Sequence, residues 1–187
     1  MNLLKAYYKY MENPSVALQR LLDRCSFRQS CLGYLVATLG WVVFFNVGDG
    51  LSIPVLVLKL LIVFVAELTA GFVWSAFAAL FLDLCHSRVS SAELFVMVGS
   101  SGIIKGLLIV GALVSAMFPQ FELGLLAPLF LLIIGILQLA YLTHGLVSRE
   151  NISVARALSA WLFGIVPVFM SFALAGVFFV WGIALLV

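Results

Sequence analysis

Five long apolar runs, at residues 30–47, 51–82, 94–118, 123–147 and 157–187, occupy most of this chain, with only short polar separators between them. A run of about 20 apolar residues is enough to cross the hydrocarbon layer of a membrane. Inside that layer no water meets an open N–H or C=O, so each run has to close its backbone hydrogen bonds within itself, as a helix. The remaining composition agrees: of 187 residues, 65% are hydrophobic and 10% charged, against roughly 45–50% and 25% in soluble domains. A soluble globular domain is excluded. So is a disordered chain, which needs low hydrophobicity and a high net charge, whereas here the net charge is +2. The apolar runs leave no length for a separate catalytic domain. The expected fold is all-α, a polytopic transmembrane bundle of five helices over residues 30–187, preceded by an amphipathic helical segment over residues 1–29.

That first segment holds Lys5, Lys9, Arg20, Arg24 and Arg28, half of the ten basic residues. It lacks the apolar core and small-residue cleavage site of a signal peptide. Asn13-Pro14 is a helix-start signal, with Asn as cap and Pro in the first turn, where no amide bond is lost. Ala17, Leu18, Leu21, Leu22 and Cys25 then recur at helical spacing, opposite Gln19, Arg20, Asp23 and Arg24. A basic amphipathic helix of this kind either lies among lipid headgroups or packs on the cytoplasmic ends of the spans. Arg20, Arg24 and Arg28 are therefore expected to contact lipid or a partner; the plainer reading is that they only set topology. Basic residues flank the spans in this segment, at Arg88, and at Arg149 and Arg156. The positive-inside rule places all of these on the cytoplasmic side. The N-terminus is then inside, the C-terminus outside, and the number of spans odd. Two runs exceed a bilayer's thickness. The second is expected to open with an interfacial turn at Pro54 that leaves Lys59 near the headgroups. The fifth is expected to kink or divide at Pro167.

Two charges fall in span interiors, Glu67 and Lys105. Such residues are expensive in lipid and are functional candidates with a partner to be found. Glu67 precedes Asp83 by 16 residues, about 24 Å of helix, and Lys105 follows Glu93 by 12, about 18 Å. In consecutive antiparallel spans those depths differ by less than a lysine side chain's reach, so the two are expected to pair. Ser100, Ser101 and Gln138 would complete a polar cavity if the pair lines one. Small residues recur at helix-packing spacing: Gly71, Ser75 and Ala79 in the second span, and Gly102 with Gly106 and Gly111 with Ser115 in the third. Such faces let backbones approach where lipid supplies no hydrophobic drive. They fit packing within the chain or between copies.

Other chemistries find less. Gly99-Ser100-Ser101-Gly102 matches the GxSG of rhomboid proteases, with His144 as the only imaginable base, but Ser101 and His144 fall at different depths and rhomboids have six spans. Cys25, Cys31, Asp83, Cys85 and His86 all fall on the expected cytoplasmic side, yet without metal-ligand spacing. The three cysteines are read as reduced thiols. There is no phosphate-binding loop or dinucleotide fingerprint. No metal, no cofactor and no enzymatic activity is expected.

The inside N-terminus, the five spans and the Asn13-Pro14 to Leu22 segment are similar to the Yip-domain family, the Ypt/Rab-interacting membrane proteins and their bacterial relatives. Ser90-Ser91-Ala92-Glu93-Leu94-Phe95 resembles the family's Ser-rich lead into span three. Gly145-Leu146 and Ile152-Ser153-Val154-Ala155-Arg156-Ala157-Leu158 resemble its approach to span five. Two departures stand out: no proline follows the serine at Ser101-Gly102-Ile103, and the acidic-aromatic-Gly-Pro signature of eukaryotic members does not occur, which speaks against a GTPase-binding role. The resemblance implies a non-enzymatic integral membrane protein, tied in eukaryotes to membrane trafficking, that organises membrane or partner proteins. The expected partners are the bilayer, with its anionic headgroups, and further copies or other membrane proteins, not nucleic acid. Eukaryotic relatives carry a long polar N-terminal region that this sequence does not show, so a bacterial inner membrane is the expected location. The alternative is a small transporter or channel built on Glu67 and Lys105.

Overall fold

The computed structural model describes residues 27–47, 50, 52–87, 89–117 and 123–184. Residues 1–26 of the expected amphipathic segment, with Arg20, Arg24 and Cys25, lie outside the described residues, as do Asp49, Arg88, Phe118 and the separator 119–122, while residues 27–29 open the first helix. Among the described residues five helices follow one another: α1 (Phe27–Phe45), α2 (Ile53–Leu84), α3 (Ser91–Met117), α4 (Leu123–Glu150) and α5 (Val154–Ala184). No strand occurs among the described residues. Four of them, α2 to α5, are long and apolar enough to cross a membrane. The first helix is shorter, at 19 residues, and its opening turn spends Arg28, Gln29 and Ser30 on polar side chains.

Helix boundaries follow local chemistry. Pro54 sits in the first turn of α2 behind Ser52, where its missing N–H costs nothing. The separate interfacial turn expected there is absent, because the proline starts the helix instead of preceding it. At the other end of α2 the Ser87 amide donates to Leu82 O and the His86 amide to Asp83 O, both at 2.9 Å, with His86 at φ 62°. This is a Schellman cap with histidine at the left-handed position that glycine usually fills. Asn151, at φ 51°, stands in the same relation to the end of α4. Pro167 does not divide α5, which continues from Val154 to Ala184. The Ser171 hydroxyl bonds back to the Pro167 carbonyl at 2.7 Å, whereas the carbonyl that loses its amide donor to the proline is that of Phe163, four residues earlier.

The helix α3 is the spine. In its most apolar stretch 56% of residues are buried, against 0% in that of α2. It lies against α1, α2 and α4, while α5 closes the bundle between α2 and α4. What brings α1 onto α3 is a glycine seam. A Cβ at Gly33 would overlap the Gly99 carbonyl oxygen, one at Gly102 would lie 2.5 Å from the Gly33 carbonyl, and one at Gly40 would run into the Lys105 carbonyl. The backbones touch, so no side chain fits between them. Small residues named from the sequence also face inward: Gly71 receives the Tyr34 ring, Gly106 meets Val36, and Gly111 meets Phe44 and Phe130. Ser75 and Ser115 are buried and Ala79 borders the core. Packing within the chain therefore occupies these faces.

Two apolar clusters result. One gathers Ala78, Leu82, Leu94, Met97, Leu142, Leu146, Ala157 and Trp161, near the loops at 85–90 and 151–153. The other gathers Phe44, Leu108, Ala112 and Ile134 toward the opposite end. Arg28, Arg149 and Arg156 all belong to the first end: Ser30 reaches Phe95, Arg149 pairs with Glu93 at 2.7 Å, and Arg156 lies in the first turn of α5.

The seam predicts a contrast between glycines. Replacing Gly33 by alanine should destabilise the protein by about 2–3 kcal/mol, because backbone atoms have to separate. Gly135→Ala, where an added Cβ meets nothing within 4 Å, should be neutral or stabilise by up to about 1 kcal/mol. Thermal unfolding in detergent micelles measures both, and equal losses at the two positions contradict the seam.

Candidate functional site

A polar layer crosses the bundle between the two apolar clusters, and its centre is Lys105. This residue lies in a five-residue 3₁₀ segment, Gly102–Gly106, set inside α3. The local sequence favours the change of winding: two glycines bracket two β-branched isoleucines, all weaker helix formers than alanine or leucine. In a 3₁₀ turn residues three apart eclipse each other. Lys105 is thereby aligned with Gly102 along the helix.

Its ammonium group meets the Glu67 carboxylate of α2, with both oxygens at 2.8 Å from Nζ. The indole of Trp41, on α1, donates Nε1–H to Glu67 Oε1 at 2.5 Å. The same ring lies under the ammonium, 5.8 Å from Nζ to centroid, within cation–π range. Phe45 stacks on Trp41 at 5.6 Å with an interplanar angle of 6°, which holds the indole in place. Three helices thus each supply one member of a closed set: acid, base and amphipathic ring. The charged side chains keep only 16% (Lys105) and 12% (Glu67) of their exposure. In hydrocarbon each alone would cost about 2.5–3.5 kcal/mol or more. Together they satisfy one another, and the indole N–H supplies a second donor to the carboxylate.

A second polar contact lies on the α4 side of the same helix. Gln138 donates Nε2–H to Ser101 Oγ at 2.9 Å, and Ser101 in turn donates to the Val98 carbonyl at 2.6 Å. Ser100 donates to the Met97 carbonyl at 2.8 Å. All three side chains are buried. Ser100, Ser101 and Gln138 therefore spend hydrogen bonds on neighbours. Ser101 has Gln138 for a partner where a nucleophile would need a base, and His144 lies exposed on α4. Among the described residues no three His, Cys, Asp or Glu gather as a metal site; Cys31 is exposed and Cys85 half-buried. Toward the opposite end, Lys59 donates to the Asn46 side chain, so it is anchored to the end of α1.

Sequence reasoning missed Trp41 and the glycines of α1. The signal for Trp41 was present: an indole N–H in a membrane span needs an acceptor, and few carboxylates are available at that depth. Gly33 and Gly40 are seven residues apart, two helical turns, and so share one face. Comparison of the chain with protein families, with curated proteins and with solved structures gives no match.

The closed set predicts strong coupling. Glu67→Gln or Lys105→Met alone should cost about 3–5 kcal/mol, since each strands the other charge in a dry setting. The double variant should recover most of that loss. Trp41→Phe should cost about 1.5–3 kcal/mol, the worth of a hydrogen bond to a charged group. A double-mutant cycle on unfolding in detergent measures the coupling; additive losses would show that the two charges act independently.

Proposed function

We propose that the protein is a non-enzymatic membrane scaffold of Yip-domain type, a five-span bundle that organises membrane or partner proteins. In this reading α1 is the first span, and the arginine-bearing end, with Arg20, Arg24 and Arg28, faces the cytoplasm of a bacterial cell while the C-terminus lies on the other side. The observation that carries it is the closure of the deep charges. Both Glu67 oxygens accept from Lys105, and Trp41 takes a further lone pair. A site that moves ions has to leave charge open to its cargo, whereas here the charges are spent on holding α1, α2 and α3 in register.

Attraction to the membrane surface would come from the basic end, where each Lys or Arg near an anionic leaflet contributes about 1 kcal/mol. The helix-packing faces rigidify the platform from which those side chains act. One observation favours the rival transporter reading: Lys105 sits on 3₁₀ winding in mid-helix, a feature that often marks a hinge, and the pair keeps slight exposure. Movement of that segment would open the pair.

Reconstitution separates the two. Proteoliposomes containing wild type or Glu67→Gln should both show ion and proton leaks equal to empty vesicles. Flux through wild type that the substitution abolishes would replace the scaffold by a transporter. Labelling of an introduced C-terminal cysteine and of Arg28→Cys from opposite sides of the membrane checks the five-span topology. Accessibility of both from one side contradicts it.

A further inference from the structure

The 3₁₀ segment Gly102–Gly106 divides α3 into a first half, Ser91–Ser101, and a second half, Leu107–Met117. A 3₁₀ helix turns about 120° and rises about 2.0 Å per residue, against about 100° and 1.5 Å in an α-helix. Over the five residues the difference amounts to about 100° of rotation and about 2.5 Å of length. That rotation is the angle between neighbouring residues of an α-helix. Rewinding the segment as α-helix would therefore bring each residue of the second half within about 1 Å of the place now held by the residue before it.

The two halves differ in what ties them down. The first half is held by polar contacts: Arg149 and Gln138 of α4 bond to Glu93 and Ser101, and Tyr34 of α1 to the Phe95 carbonyl. The second half has one side chain able to hydrogen-bond, Ser115. Its hydroxyl is buried without a partner, whereas Ser75, Ser101, Ser148 and Ser171 donate to carbonyls three or four residues back. No polar contact fixes the rotation of this half, and its present setting strands a hydroxyl at a cost. The sequence also offers small residues in both settings, because Gly111 and Ser115 are followed by Ala112 and Ala116. After rewinding, Ala112 would stand where Gly111 now meets Phe44 and Phe130, and Ala116 where Ser115 is buried. The cost falls on Leu113, which would enter the place of Ala112 in the cluster with Ile134.

Lys105 lies within the segment and so feels the change directly. It stands about 120° round the helix from Ser101 when the winding is 3₁₀, and about 40° when it is α. Rewinding carries it from Glu67 toward the side of Ser101, where Gln138 of α4 has a carboxamide oxygen able to accept. Gly106, with no side chain, comes opposite Glu67. We propose that the Glu67–Lys105 pair is the latch of a two-position switch in α3. While the pair is closed Gly102–Gly106 keeps its 3₁₀ winding; when it opens, the segment rewinds and turns the second half by one residue position. Val110 then leaves the surface for the half-buried place of Ile109, and Val114 moves out to the exposed place of Leu113. The state of two buried charges is thereby displayed on the lipid-facing side of the bundle. The inference rests on the pair and on helix geometry and not on the scaffold role, so flux through the reconstituted protein leaves it standing.

Nitroxide labels on Val110→Cys and Val114→Cys test it, each placed singly in the full-length protein, with Cys25, Cys31 and Cys85 replaced by serine, in lipid vesicles. Their collision rate with dissolved oxygen reports exposure to hydrocarbon. With Glu67 in place the label at 110 should be the more accessible. In Glu67→Gln the order should reverse, 110 falling and 114 rising. The double variant Glu67→Gln with Lys105→Met, which strands no charge, should show the same reversal and decides the matter if the single variant does not fold. A bundle that merely loosens raises both labels. That result, an unchanged order, or any pattern other than the reversal overturns the proposal.

Discussion

Contact between the backbones of α1 and α3 sets the positions of nearly everything else. Gly33 rests on the Gly99 carbonyl, Gly102 on Gly33, and Gly40 on the carbonyl of Lys105. Lipid gives helices no hydrophobic reason to associate, so close approach and the van der Waals contact it allows have to supply it. Once the axes are this close, Trp41 is delivered beside Lys105, one residue beyond Gly40. The Tyr34 ring is likewise pressed into the space that Gly71 leaves on α2, with its hydroxyl donating to the Phe95 carbonyl at 3.3 Å. A seam of absent side chains thus ties three helices together.

The polar layer follows from the same constraint seen from the side of solvation. Without water, an ammonium group at midspan has to find a carboxylate, and that carboxylate uses its remaining lone pairs on whatever donors neighbouring helices present. The donor here is an indole, whose ring face also receives the cation. Because acid, base and indole come from different helices, their closure fixes register among α1, α2 and α3 in a way that leucine and phenylalanine, interchangeable along a helix, do not. Gln138 on Ser101 plays the same part between α3 and α4. Apolar clusters on either side of the layer add packing but little choice of register.

Much of this was legible in the chain. The limits of the apolar runs fall within a few residues of the helix ends: residues 123–147 against Leu123–Glu150, and 94–118 against Ser91–Met117. Depth arithmetic brought Glu67 and Lys105 within reach of each other. Other features were not legible. The 3₁₀ winding of Gly102–Gly106 falls where α1 lies against those glycines, and propensity alone does not place it. Pro54 reads as an interfacial turn, whereas it stands in the first turn of α2.

Apolar length and the scarcity of charge determined by themselves that the chain is helical and made for lipid, since a backbone out of reach of water has no other way to satisfy its donors and acceptors. Which faces meet, which indole closes the carboxylate, and whether the small residues serve this chain or another copy were decided only in three dimensions. The reason is that these depend on interhelical distances, and a one-dimensional pattern that is apolar all the way round a helix does not say which of its sides is the near one.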